Sequence, residues 1–307
     1  MSYYDINSFL IESKMLIPIN KKENYLPSAD KDTIIIFKNI LEHINKFNTN
    51  IKIPYPIYYI NMDKNNDRKI FMEKELTKYS MSFSRIKGIN GFSIKNLQSD
   101  TVDNINFKSD FNNMSKSEIG CCLSHLLAIK TAYNNGDEYA LILEDDVQLN
   151  LLNILDINIT ELVDNAPEDW EIIKFFSIRD PYENDKPIKT YKYFKYYLDI
   201  PIKYPTWGAQ SYLLNKKGMK NVIDYTVTDN NSFYIQNKNN IFTHGRSDDL
   251  IFQIAKTYNV LPGIFYPNNL VLNSTIHDDH TNKHIKRSYD TVLSIYKTST
   301  KTSTTSD

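Results

Sequence analysis

The run Tyr139-Ala140-Leu141-Ile142-Leu143, ending in Glu144-Asp145-Asp146-Val147, constrains this chain more than any other stretch. An unbroken apolar run of that length predicts a strand covered on both faces, as in sheets flanked by helices. A helix would be longer and would not stop at acid. The strand therefore delivers three adjacent carboxylates to a sheet edge. In open α/β sheets, ligands sit outside the carboxyl ends of the strands, so acids placed there face the crevice where substrates bind. Adjacent carboxylates repel one another. A divalent cation such as Mg²⁺ or Mn²⁺ relieves that repulsion and shares its remaining shell with a phosphorylated substrate. On this stretch alone, the alternative is an acidic cap or turn after a strand.

The flanking pattern alternates strands with helices. Ile57-Tyr58-Tyr59-Ile60-Asn61-Met62-Asp63 reads as a first strand and loop, followed by a helix from about Asp67 to Tyr79. Phe83 to Ile89 alternates as a second strand closed by Asn90-Gly91, and a loop runs on through Asp110. Ser115 and Glu118 have capping-box spacing and open a helix, Ile119 to Asn134, which ends at Asn135-Gly136. Beyond the acidic strand, Trp170–Phe176 and Thr206–Leu214 read as strands, and Asn215 is placed to cap the helix carrying Gly218, Val222 and Ile223. Ser247-Asp248-Asp249 starts a helix to Tyr258, and Val260 to Tyr266 is a last strand. The Tyr- and Lys-rich segment Pro181 to Pro205 lacks a clean period and reads as a long loop or hairpin over the active face. This order gives an α/β class. The expected division is a helical N-terminal extension over 1–50, with a helix from Thr33 to Lys46, a main domain over 51–290, and a disordered Thr/Ser/Lys tail over 291–307.

Composition excludes several functions. Lys+Arg of 36 against Asp+Glu of 37 leaves a formal net charge of -1, so no global field draws the chain to nucleic acid or an anionic membrane. Cys121 and Cys122 are adjacent in a helical segment, which argues against a structural disulfide and for a reducing compartment; metal binding through them is not expected. No apolar run reaches membrane-spanning length, and the N-terminus lacks a basic region followed by an apolar one. With a bias toward Asn, Ile, Lys and Tyr, these features point to the cytoplasm of a bacterium, or of a host cell if the chain comes from a large DNA virus.

Five stretches taken together resemble glycosyltransferase family 25, the lipopolysaccharide-type and collagen galactosyltransferase-like enzymes. They are Ile60-Asn61-Met62-Asp63 with Asp67-Arg68; Phe83-Ser84-Arg85-Ile86 leading to Asn90-Gly91; Ser117-Glu118-Ile119-Gly120-Cys121-Cys122-Leu123-Ser124-His125; Leu143-Glu144-Asp145-Asp146-Val147; and Ala209-Gln210-Ser211-Tyr212-Leu213-Leu214 followed by Gly218. Met62, Lys64 and Asn90 depart from the usual Leu, Arg and Asp of that pattern. The resemblance covers about Ile57 to Asp279. It implies a single GT-A-like, Rossmann-like domain with a central, mostly parallel sheet flanked by helices. It also implies a UDP-sugar donor, Mn²⁺ or Mg²⁺, inversion at the anomeric carbon, and a glycan or glycosylated protein as acceptor.

The same resemblance distributes roles. Asp146 would ligate the metal, Glu144 would face the metal shell or donor ribose, and Asp145 would point elsewhere. His277 is the C-terminal candidate ligand, the alternative being a solvated histidine. Asp248 and Asp249, with a slight preference for Asp249, are candidates for the general base, or else complement the dipole of their helix. Asn61, Asp67, Arg68 and Arg85 would lie near the nucleotide, with Arg68 meeting phosphate or bracing Asp67. Ser124 and His125 would approach the base or ribose, or else hold their helix to the sheet. Trp207, Gly208 and Gln210 resemble the acceptor-side strand, with a core role as the alternative for Trp207. Two other functions stand beside transfer: a different divalent-metal enzyme such as a phosphotransferase or nuclease, and an inactive relative that binds carbohydrate or a protein. A nuclease would carry a basic surface, and the sequence has no P-loop pattern.

Overall fold

The structure is a computed structural model that describes residues 53–79, 82–149, 152, 159–176, 196–199, 208–238, 242, 244–261 and 265–267. In chain order the elements are β1 (Ile57–Asn61), α1 (Asn66–Lys78), β2 (Phe83–Lys87), a 3-10 turn (Gly91–Ser93), β3 (Ser99–Val102), β4 (Ile105–Ser109), α2 (Lys116–Asn134) and β5 (Tyr139–Glu144). There follow β6 (Val147–Gln148), α3 (Ile159–Asp164), β7 (Ile172–Lys174), β8 (Tyr196–Asp199), β9 (Ser211–Asn215), α4 (Lys216–Thr226), β10 (Val227–Asp229), β11 (Ser232–Ile235), α5 (Ser247–Ile254), β12 (Thr257–Leu261) and β13 (Tyr266–Pro267).

The main sheet has seven strands in the order β2-β1-β5-β9-β7-β12-β8. Five of them, β2, β1, β5, β7 and β12, run in one direction, and β9 and β8 are reversed. Alternation along the strands splits the core between the two faces. Tyr58, Ala140, Ile142, Tyr212 and Leu214 pack with the apolar sides of α2, α4 and α5, whereas Tyr59, Leu141, Leu143, Leu213 and Ile173 pack with α1 and α3. Ala140 to Leu143 are fully buried, which is why this strand reads as a continuous apolar run. The result is the α/β, Rossmann-like sheet between helical layers that the sequence predicts.

Local signals hold where the chain contains both partners. Ser115 Oγ accepts from Glu118 N at 3.2 Å while Glu118 Oε2 accepts from Ser115 N at 2.7 Å, completing the capping box of α2. Asn215 Oδ1 accepts from Gly218 N at 2.8 Å and caps α4. One close approach shapes the carboxyl edge of the sheet. A Cβ on Gly120 would lie 2.7 Å from Gly91 N, and one on Gly91 would lie 2.0 Å from Lys116 O, so α2 and the 3-10 turn meet backbone to backbone.

Three expectations are corrected. The segment read as a loop to Asp110 is the hairpin β3–β4, turned by Asp103 (φ 51) and Asn104 (φ 63) and joined through β4 to β11 in a second sheet of four strands. Two consecutive left-handed residues suit a two-residue hairpin turn. The helix begun at Ser247 stops at Ile254, because Thr257 to Asn259 pair in parallel with Ile172 to Lys174 and are drawn into the sheet. Of the segment expected to lie over the active face, only Tyr196–Asp199 is among the described residues; it forms β8, an edge strand paired with β12 at the far end of the sheet from β1 and β2, and the rest of that expectation lies outside the described residues. The N-terminal helix and the C-terminal tail lie outside the described residues. Among the described residues no helix is long and apolar enough to cross a membrane.

Candidate active site

A cleft opens at the carboxyl ends of β2, β1 and β5, walled by the first turns of α1, the 3-10 turn and the N-terminal half of α2. It is an open cleft of about 690 Å³, a figure that counts space continuous with solvent. Its lining includes Lys64, Asn65, Arg68, Phe92, Cys121, Ser124, His125, Glu144 and Asp145.

The three acids following β5 occupy different environments. Glu144 is part-exposed into the cleft, and its Oε1 lies 3.5 Å from His125 Nε2. Asp145 is buried and held from below, accepting from Arg68 at 2.7 Å and from Asn61 Nδ2 at 2.7 Å. Asp146 is also buried; its Oδ2 lies 3.3 Å from the same Arg68 nitrogen, and its Oδ1 has no hydrogen-bond partner among the described residues. Burial, then Glu144 and Asp145, push the Asp146 carboxyl up to about 7 against the pull of Arg68. Burial opposes the charge of Arg68, but the adjacent aspartates more than offset it and raise the guanidinium's pKa.

Behind this turn, Asn61 is a hub. Its Oδ1 accepts from Arg85 Nε at 2.9 Å, and its Nδ2 donates to Asp145 and to the Asn65 carbonyl. Arg85 reaches on to Asp63 at 2.6 Å. Asn61 and Arg85 therefore brace the acidic turn without lining the cleft. Asp67 is exposed in the first turn of α1, and the Arg68 guanidinium is turned to Asp145 and Asp146. Ser124 lines the cleft but is committed to backbone, accepting from Ile89 N at 2.8 Å and donating to the Gly120 carbonyl at 2.6 Å. His125 is fully buried, with Nδ1 2.9 Å from Tyr212 Oη.

On the opposite side, the residues leading into β9 abut the acidic strand. The Gln210 carbonyl accepts from Glu144 N at 2.8 Å, and Gly208, at φ 107, donates its N–H to Asp248 Oδ2 at 2.9 Å. Arg246 Nε lies 2.6 Å from Glu118 Oε1, pinning the start of α5 to the start of α2. Asp248 is part-exposed, and through Ser247 it adjoins Cys121 on the cleft wall. Asp249 is 1% exposed, and neither carboxylate oxygen has a hydrogen-bond partner among the described residues. Burial first, and then Asp248, push its carboxyl up to about 6. Trp207 and His277 lie outside the described residues.

The family model of glycosyltransferase family 25, described as an LPS biosynthesis protein, matches residues 55–236. The chain belongs to glycosyltransferase family 25. The matched span holds every wall of the cleft, so the family's glycosyl-transfer activity maps onto the part of the chain that contains it. Asp248, Asp249 and His277 lie beyond the match. No curated protein matches the chain.

Several residues of this glycosyltransferase site escaped the sequence reading. Phe92 is 66% exposed at the mouth of the cleft, with Lys64 Nζ 5.5 Å from its ring centroid. An aromatic after the Asn90-Gly91 turn, at the end of a parallel strand, was the signal available. Outside the cleft lining, Lys174, on β7, is fully buried with Nζ 4.1 Å from the Phe252 ring centroid; burial depresses its pKa to about 7, while Asp248 and Asp249 pull the other way. Cys121, set aside in the sequence as a metal ligand, lines the cleft beside His125 and Glu144.

Proposed function

We propose that this glycosyltransferase moves a hexose from a UDP-sugar to a hydroxyl of a glycan or glycosylated protein, with divalent metal and inversion at the anomeric carbon. The single observation carrying this reading is the cleft at the carboxyl ends of β2, β1 and β5, where Glu144 is presented to the ligand space; Asp146, two residues on, is buried outside the lining and keeps one oxygen without a hydrogen-bond partner among the described residues. Two carboxylates presenting oxygen ligands fit a hard cation such as Mn²⁺ or Mg²⁺. Glu144 and Asp146 would hold it, and His277 would complete the set from the C-terminal side. When bound, the ion offsets the charge that develops on a departing diphosphate.

The chain's own residues supply the rest. Arg68 neutralises Asp145 and part of Asp146, so that three adjacent acids are tolerated in one turn. Lys64, over the Phe92 ring, carries positive charge to the cleft mouth where diphosphate would lie, and Phe92 itself is exposed there, available to a base or sugar. The acceptor oxygen attacks the anomeric carbon as the bond from that carbon to the diphosphate breaks, and the acceptor proton passes to a carboxylate. Of the two candidates, geometry favours Asp248, since Asp249 is too enclosed to meet an acceptor hydroxyl. Gly208 orients Asp248 through its N–H, and Gln210 lies on the same side.

The test is sugar release from UDP-glucose, UDP-galactose and their N-acetyl forms, with GDP- and CMP-sugars as controls and the metal varied. Turnover of a UDP-sugar that needs Mn²⁺ or Mg²⁺ is the expected result; turnover only of another nucleotide sugar, or without metal, contradicts it. Once an acceptor is found, proton NMR of the anomeric centre decides the stereochemistry, and a retained configuration overturns the single-displacement reading.

A further inference from the structure

We propose that Cys121, His125 and Glu144 form a binding site for one borderline-soft divalent ion of the zinc class, distinct in donor chemistry from the Glu144–Asp146 oxygen set although it shares Glu144. Cys121 and His125 stand one turn apart on α2, and Glu144 ends β5 opposite them. One ligand atom from each lies within 4.8 Å of the others. The separation of His125 Nε2 from Glu144 Oε1, 3.5 Å, is already close to the edge of a tetrahedron with Zn–N and Zn–O bonds of about 2.0–2.1 Å, roughly 3.3–3.4 Å.

The surroundings of His125 add an independent observation. Its Nδ1 lies 2.9 Å from Tyr212 Oη, and both residues are fully buried. In the tautomer in which Nδ1–H donates to Tyr212 Oη, Nε2 presents its lone pair toward Cys121 and Glu144. Metal-bound histidines carry this kind of outer hydrogen bond, which sets tautomer and ring orientation. Cys121 and Glu144 both line the cleft, so a fourth position opens to the ligand space. Three protein ligands with one exchangeable position are the arrangement of zinc sites that bind water or substrate. A thiolate and an imidazole select such an ion over Mg²⁺ or Ca²⁺. As the sulfur–metal bond forms, the thiol proton leaves to solvent. The inference does not depend on glycosyl transfer. If that reading holds as well, an occupied site withdraws Glu144 from the donor, and zinc opposes transfer.

The experiment uses the full chain, reduced and freed of metal by chelation, and titrates it with Co²⁺ as an optical probe. One equivalent of Co²⁺ should give an intense near-ultraviolet sulfur-to-cobalt charge-transfer band that Zn²⁺ displaces. Cys121→Ser should abolish the band and Cys122→Ala should leave it. Tyr212→Phe should weaken binding by about 10–100-fold, the range for outer-shell partners of metal ligands. A measurement needing no variant is alkylation of the wild-type chain, in which Zn²⁺ should protect Cys121 as read by peptide mass mapping. No charge-transfer band in the wild type, a band that survives Cys121→Ser, or alkylation of Cys121 unaffected by Zn²⁺ would overturn the site.

Discussion

Replacing Arg68 with Met tests how the acidic turn is held together. The guanidinium lies 2.7 Å from Asp145 and 3.3 Å from Asp146, and its side chain and both partners are nearly enclosed. At an effective dielectric of about 20, these separations correspond to gross attractions of about 6 and about 5 kcal/mol. Desolvation of each buried ion offsets much of that. The measured cost of removing one partner of a buried pair, about 3–5 kcal/mol, reflects the charge left uncompensated. Met fills much the same volume as the Arg stem, so little of the loss is a packing effect. The cost should depend on pH. Without Arg68 the folded-state pKa of Asp146, already raised to about 7, rises further above its unfolded value, and the native state then binds more protons than the unfolded one. Stability of the variant therefore falls as pH rises through that window and is least impaired in acid. Urea unfolding of both proteins at pH 8 and pH 5.5 should give a loss of about 3–5 kcal/mol at the higher pH and clearly less at the lower. A loss below about 1 kcal/mol, or one equal at the two pH values, would refute the reasoning.

Other outcomes follow from the same geometry. Asp146→Asn should lower transfer by roughly 10²–10³-fold with little change in Tm, because a carboxyl already pushed up to about 7 is exchanged for a neutral isostere; full activity in this variant contradicts the metal-holding role. Phe92→Ala should leave stability within about 0.5 kcal/mol, since the ring is exposed, yet raise the donor KM about tenfold if the ring stacks on the base. Asp249, raised from 3.8 to about 6, makes the folded protein lose about 3 kcal/mol as pH rises from 4 to above 6. Asp249→Asn should remove that dependence, and an unchanged pH slope in urea unfolding would exclude it. Gly120→Ala should cost about 1–3 kcal/mol by forcing α2 away from the 3-10 turn, measurable as a lower urea midpoint.

What could be read in the sequence was what lies close along the chain. The capping box of α2 and the cap of α4 each need only four residues, and the apolar run of β5 announces burial on both faces by itself. The hairpin β3–β4 was missed because Ser99-Asp100-Thr101-Val102 is polar and mostly exposed; the Asp103-Asn104 turn was its one signal. Arg68 was expected to serve phosphate or Asp67, but its partners lie 77 and 78 residues away, and a lone arginine in a helix says nothing of that distance. The i, i+4 spacing of Cys121 and His125 was visible, yet it gains meaning only when the pairing of β1 with β5 brings Glu144 beside them. Between Asp248 and Asp249 the sequence reading leaned slightly to Asp249; the two separate in burial only once α5 packs Asp249 inward.

The most direct test of the central claim is calorimetric binding of UDP, with and without Mn²⁺, to the wild-type chain and to Glu144→Gln. UDP binding should strengthen with Mn²⁺ in the wild type and lose that dependence in the variant. UDP binding unaffected by both the metal and the substitution would contradict it.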